Sequence, residues 1–359
     1  MSTNSAPAIS HQEIIEDAAA IRAAADITLA TIAERRAQMD AEDMADAPLF
    51  VLAGEVHSNI AHKLHHFLVI KGLHESGENT MVGYEGPYNV VSDSFFLTFE
   101  KPIDEAIADI IHQGDDDGKF AILTEFAMLT ERYGVHSGKV IRNFMLEHTA
   151  AGRLTNCFAD AAFLEGELDL KDAFTRAAIA QAGEIKDLNP TSPDAMHVRN
   201  HHMVSMLMTH AQRNKPRIVY HMAGVMHLHG GMEFPQDQSL KAIMDDNGQQ
   251  SLTVPLLSAH ANQTHLPDTF DCDEDDILAI SGLGDRIAIY NIDADMEDWG
   301  VDFTTAEDEA AYVNALLTEL GEDRYVRSPV QIEESSDQYM NELMPVYANW
   351  AKSVYRLGK

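Results

Sequence analysis

Short apolar runs alternate with longer stretches of helical periodicity along this 359-residue chain. In residues 11–38, Ile14, Ile15, Ala18, Ile21, Ala25, Ile27, Leu29 and Ile32 recur at intervals that predict an N-terminal helix laid over the core. An acidic linker follows over 40–48. The apolar run Leu49-Phe50-Val51-Leu52-Ala53 then reads as a buried strand ending in Gly54-Glu55-Val56-His57. Ser58 suits the N-cap of a helix reaching residue 75, and Met81-Val82-Gly83-Tyr84-Glu85 is a second strand, completing a β-α-β unit.

Residues 86–152 carry a mostly helical pattern, strongest over 120–133 and 139–148, and predict a helical insertion of about 87–150 that could roof a site on the sheet. The acidic run Gly114-Asp115-Asp116-Asp117-Gly118 lacks the distal glutamate of a Ca²⁺ loop and reads as an exposed turn. A third strand over 154–160 closes on Asp160. The helical stretch 168–210 is broken at Pro190 and Pro193, after which Asp194 can start a second helix. Strands are expected over 217–223, 251–257 and 286–292, helices over 238–245, 305–320 and 336–355, and a polar loop over 260–276. This alternation predicts an α/β fold, a mostly parallel central sheet flanked by helices with a helical insertion. It divides the chain into an N-terminal helix and linker, 1–47, and a single α/β domain, 48–359.

Charge narrows the partners. Asp and Glu number 58 against 25 Lys and Arg, a formal charge of −33 that argues against nucleic acid and anionic membrane surfaces. The two cysteines, Cys157 and Cys272, are too few and too far apart for a disulfide framework or a cysteine zinc site. No apolar stretch of about 18 residues is available to span a bilayer. The first residues lack the basic and apolar segments of a secretory signal, so a soluble, cytoplasmic protein is expected, of undetermined oligomeric state.

The strand ends carry the candidate chemistry. In parallel sheets the carboxyl ends of strands gather on one edge, where ligands bind, so Glu55, His57, Glu85 and His227 are expected to form one polar centre. Imidazole and carboxylate together suit Zn²⁺, Mn²⁺ or Fe²⁺, or general acid–base chemistry without a metal. His62 follows closely enough to reach back toward Glu55, whereas His65 and His66 read more simply as exposed helix residues. His197 and His201 have the i,i+4 spacing of a zinc-binding helix, but Val198 stands where a metalloprotease would carry its glutamate. Arg199 can pin a carboxylate with its fixed fork. In His221-Met222-Ala223-Gly224-Val225-Met226-His227-Leu228-His229-Gly230-Gly231, His227 is the preferred ligand, His221 a core residue and His229 an accessory one. There is no dinucleotide fingerprint, P-loop or nucleophile elbow.

Four short motifs, in order, resemble the superfamily that joins erythromycin esterases, ChaN-like haem-binding proteins and the TraB/Tiki proteins. They are Gly54-Glu55-Val56-His57 with His62 after it, Glu85 at a strand end, Arg199-Asn200-His201-His202-Met203 on a helix, and Gly224-Val225-Met226-His227-Leu228-His229-Gly230. The resemblance spans residues 49–231. It implies an α/β fold whose Glu and His residues activate water or hold a divalent metal. It implies a hydrolase of ester or amide bonds acting on a small molecule or peptide, or alternatively a non-catalytic haem or iron protein, toward which Tyr84 and Tyr88 beside Glu85 would point. On the hydrolase reading Glu55, Glu85 and Arg199 are catalytic and His57, His227 and Glu85 hold any metal. His62, Asp160 and His229 then assist.

Overall fold

The computed structural model describes residues 10–55, 59–87, 154–161, 163–164, 167–183, 185–187, 189, 192–229, 236–256, 280–283, 286–289 and 306–326. The fold is α/β. Among the described residues its strands are β1 (Leu49–Glu55), β2 (Thr80–Pro87), β3 (Thr155–Asp160), β4 (Phe163–Leu164), β5 (Glu167–Leu168), β6 (Ile218–Gly224), β7 (Gln250–Pro255), β8 (Ile280–Leu283) and β9 (Arg286–Ile289). The helices among the described residues are α1 (His11–Ala41), α2 (Ile60–Glu75), α3 (Ala173–Ala182), α4 (Pro193–Asn214), α5 (Met226–His229), α6 (Leu240–Asp246) and α7 (Ala306–Glu319). One seven-stranded sheet has the order β3-β2-β6-β1-β7-β9-β8, parallel except for β8 against β9, and β4 with β5 makes a separate hairpin. The insertion predicted over about 87–150, apart from its first residue, and the loop over 260–276 and the final helix over 336–355 lie outside the described residues.

The central strands are buried on both sides, as parallel strands between helical layers must be. Leu49, Val51 and Ala53 of β1 share one core with Val82, Tyr220 and Met222 and with residues of α1, α2 and α7. Phe50 and Leu52 belong to the opposite core with Met81, Val219, Ala223 and residues of α4 and α6. The path alternates in step with this. From β1 the chain moves over β6 to β2 through α2, whereas it runs from β3 to β6 through α4 and from β6 to β7 through α6 in the other direction. Crossovers of one hand must place oppositely directed connections on opposite faces. The carboxyl ends of β1 and β6, the neighbours whose outgoing helices diverge, therefore form the topological switch point of the sheet.

The helix ends follow local chemistry. Ser10 and Glu13 form a capping box at α1. Asn59, rather than Ser58, caps α2, its side chain accepting from the His62 amide at 2.9 Å. Ser192 caps α4 with Pro193 at its first position, so Asp194 lies inside the helix and not at its cap. α1 is no detached appendage: Ala18, Ile21, Ala24, Ala25, Ile32 and Met39 sit in the same core as α2 and α7. None of the described helices is long and apolar enough to cross a membrane.

Candidate functional site

The carboxyl edge of the sheet holds two buried polar units, one on each face. β1 places Leu49, Val51 and Ala53 on the α2 side, and period-two alternation carries Glu55 to that side as well. Met81 faces α4, so Glu85, an even number of residues on, is directed there. The register of β2 against β3 shifts between Tyr84 and Pro87, an irregularity of the kind that re-aims a side chain at a strand end.

On the α4 side, Glu85, Asp160, Arg199, Asn200 and His227 come together, all buried. Arg199 grips Asp160 with a fork, Nε to Oδ1 at 3.1 Å and Nη2 to Oδ2 at 2.8 Å, and the same Nη2 reaches Glu85 Oε1 at 2.5 Å. Glu85 Oε2 accepts from the Gly224 backbone N–H. His227 Nε2 faces Glu85 Oε1 at 3.2 Å, and its Nδ1 is bonded to Asn200 Oδ1. The Asn200 amide orientation follows from its other end, where Nδ2 donates to the Gln238 carbonyl at 2.9 Å. A carbonyl only accepts, so Oδ1 must be the atom that faces His227, and His227 Nδ1 must carry a proton. That leaves Nε2 as the basic atom of the ring.

Electrostatics follow from burial and this pairing. Burial pushes the Asp160 carboxyl up, but the Arg199 charge and hydrogen bonds outweigh it and hold Asp160 below the usual range. Arg199 is raised, since Asp160 and Glu85 overcome its own burial. Burial, aided by Arg199, pushes His227 down despite the pull of Glu85, and burial takes nearby His221 down to about 4. His202 is lowered by burial too, while its Nδ1 is 2.7 Å from the Ala159 carbonyl.

On the α2 side, Lys63 Nζ donates to Glu55 Oε1, and His66 Nε2 lies 3.2 Å from Glu55 Oε2. His66 Nδ1 is 2.8 Å from the Tyr220 hydroxyl. Burial and then the Glu55 charge hold Tyr220 well above its ordinary value, so its O–H stays protonated beside His66 Nδ1. His66 Nε2 and Glu55 Oε2 face each other as an ion-pair contact without hydrogen-bond geometry. His65 bonds Thr28 Oγ1 at 3.0 Å, joining α2 to α1. Contrary to the exposed reading, His65 and His66 are completely buried, because α2 is enclosed between the sheet, α1 and α7.

The expected single centre is thus divided by the sheet. Glu85 and His227 meet, with Arg199 and Asp160 joining them, whereas Glu55 turns to the other face. The two units approach only through the backbone: Gly224 N–H serves Glu85 and the next amide, Val225 N–H, donates to the Glu55 carbonyl at 2.9 Å. A Cβ on Gly54 would lie 3.0 Å from Val225 Cα and 3.0 Å from Leu228 Cδ2, so glycine there lets this turn close over β1. His62 is buried near the start of α2. His57, Tyr88 and the His229 side chain lie outside the described residues, and Tyr84 packs into the α2-side core. Sequence reasoning missed Asn200, Lys63, His66 and Tyr220 as members of these units. Adjacency to Arg199 was the one available signal for Asn200.

Among the described residues no three His, Cys, Asp or Glu form a group that could hold an ion. Glu85 accepts from Arg199 at Oε1 and from Gly224 at Oε2, and both Asp160 oxygens accept from Arg199. No protein-family model, curated protein or solved structure matches this chain.

Proposed function

We propose that this chain is a hydrolase of ester or amide bonds in which His227 and Glu85 handle the proton. The supporting observation is the fixed line Asn200–His227–Glu85, which commits Nδ1 to Asn200 and leaves Nε2 as the base. In the reaction, water gives its proton to Nε2 while its oxygen adds to the carbonyl carbon. The Glu85 carboxylate offsets the charge of the resulting imidazolium. Collapse of the tetrahedral adduct breaks the ester or amide bond, and the departing alkoxide or amine takes the proton back from Nε2. Arg199 and Asp160 hold Glu85 in place and act as positioning residues. The motif resemblance to erythromycin esterases and Tiki-like proteins favours the same bond classes. The acidic chain suits a neutral or cationic small molecule or peptide better than an anionic one.

The test is turnover of a panel of p-nitrophenyl esters and fluorogenic peptide amides. Wild type is expected to hydrolyse at least one, with Glu85→Gln and His227→Gln each slower by about a hundredfold or more at unchanged circular dichroism. Equal rates in wild type and both variants would sink the assignment. A Soret band in the purified protein would replace it with haem binding.

A further inference from the structure

The pair His197 and His201 on α4 is not used by the buried centre. The two rings stand one turn apart with Nε2 atoms 3.1 Å from each other and centroids 4.7 Å apart. We propose that His197 and His201 form a surface site for a borderline divalent transition-metal ion such as Zn²⁺ or Cu²⁺, separate from the Glu85 centre and independent of the hydrolase reading.

The geometry is that of two adjacent ligands. With metal–nitrogen bonds of about 2.0–2.1 Å, two nitrogens on one ion are about 3.3 Å apart at a tetrahedral angle and about 2.9 Å apart at a right angle. The observed separation falls between these values. The i,i+4 spacing fixes both rings to one helix face, so little ordering entropy is lost when an ion joins them. Imidazole nitrogens select Zn²⁺, Cu²⁺ or Ni²⁺ over Mg²⁺ and Ca²⁺, which prefer oxygen. Asp194 and Asp237 act electrostatically on His197, and Asp246 acts on His201. A dication offsets those carboxylates where two neutral rings do not.

Access is open. Both rings are half-buried, and a cavity of about 400 Å³ lined by His201, Ser205, Thr209, Gln212 and Asn247 opens on the His201 side of the pair. Among the described residues no third His, Cys, Asp or Glu completes a metal-holding group with the pair, so water fills the remaining positions. This is the arrangement of an exchangeable ion, in contrast to the closed shell of a structural zinc.

Isothermal titration calorimetry of the full chain with Zn²⁺, and separately with Mg²⁺, tests the site against His197→Gln and His201→Gln. Wild type is expected to take up one more equivalent of Zn²⁺ than either variant, or to bind it roughly tenfold or more tightly, with no corresponding Mg²⁺ difference. Identical Zn²⁺ isotherms in wild type and variants overturn the proposal, whether the shared uptake is zero or occurs at other histidines. Should a variant fail to fold, imidazole ¹⁵N spectra of wild type decide. Zn²⁺ must move the Nε2 signals of both rings together, and signals that stay put show only an N–H···N bond between them.

Discussion

Arg199 is the residue on which the α4-side unit turns. Two buried carboxylates lie against its one guanidinium, and the fork that grips Asp160 cannot be reproduced by an ammonium. Removing one partner of a buried ion pair leaves uncompensated charge, at a typical cost of about 3–5 kcal/mol. Arg199→Ala is therefore expected to lower the stability measured by urea denaturation by about 3–5 kcal/mol. A loss below about 1 kcal/mol, the range of exposed pairs, would show that water already screens these groups. Arg199 and Glu85 were both nominated by the sequence, and their meeting is a consequence of chain path. The residues lie 114 positions apart, and nothing local specifies that they touch.

At the scale of elements, the close fit of β2, β6 and α4 sets the platform beneath this unit. Gly83 faces His221 across the β2–β6 register. A Cβ at Gly83 would lie 2.7 Å from Leu207 Cδ2 and 2.8 Å from His221 Nδ1. Both neighbours are buried, so neither can move aside freely. Gly83→Ala is expected to destabilise by about 1–3 kcal/mol, the usual cost of overpacking, read as a lower urea midpoint at unchanged slope. A midpoint equal to wild type would mean that α4 shifts without strain. The helix α2 illustrates what pattern alone misses. Its four buried polar residues His62, Lys63, His65 and His66 break the polar face expected of a surface helix, and only enclosure between the sheet on one side and α1 and α7 on the other explains their burial.

For the whole molecule, the histidines make stability depend on pH. His65, His202, His221 and His227 are all buried with lowered values, and half-buried His197 and His201 are lowered as well, His221 and His201 to about 4. A group whose folded value is depressed lets the unfolded chain bind protons first as pH falls. Stability should hold above about pH 6.5, the ordinary histidine value, and decline from there toward pH 4. Asp160, held low by Arg199, works in the same sense at more acid pH, below about pH 3.9. Thermal melting across pH 8 to 4 checks this. A flat midpoint from 7 to 5 would show that these rings protonate in place without disturbing the fold.

The amino-acid pattern by itself determined the elements. Apolar runs of strand length, helical spacing and the prolines at 190 and 193 placed β1, β2, β3, β6, β7 and α1, α2, α4 and α7 close to where they lie, because these signals are local. It missed β8 and the β4–β5 hairpin, whose strands are too short for a period to register. Strand-end chemistry likewise brought Glu85, Asp160, Arg199 and His227 to notice. Tertiary structure alone decided which of them share a site. Glu55 and Glu85 end neighbouring parts of one sheet edge, yet the parity of each strand sends one carboxylate to Lys63 and the other to Arg199. That parity becomes a position only when strand order and register are fixed by packing on both faces, and no stretch of sequence encodes those long-range contacts on its own.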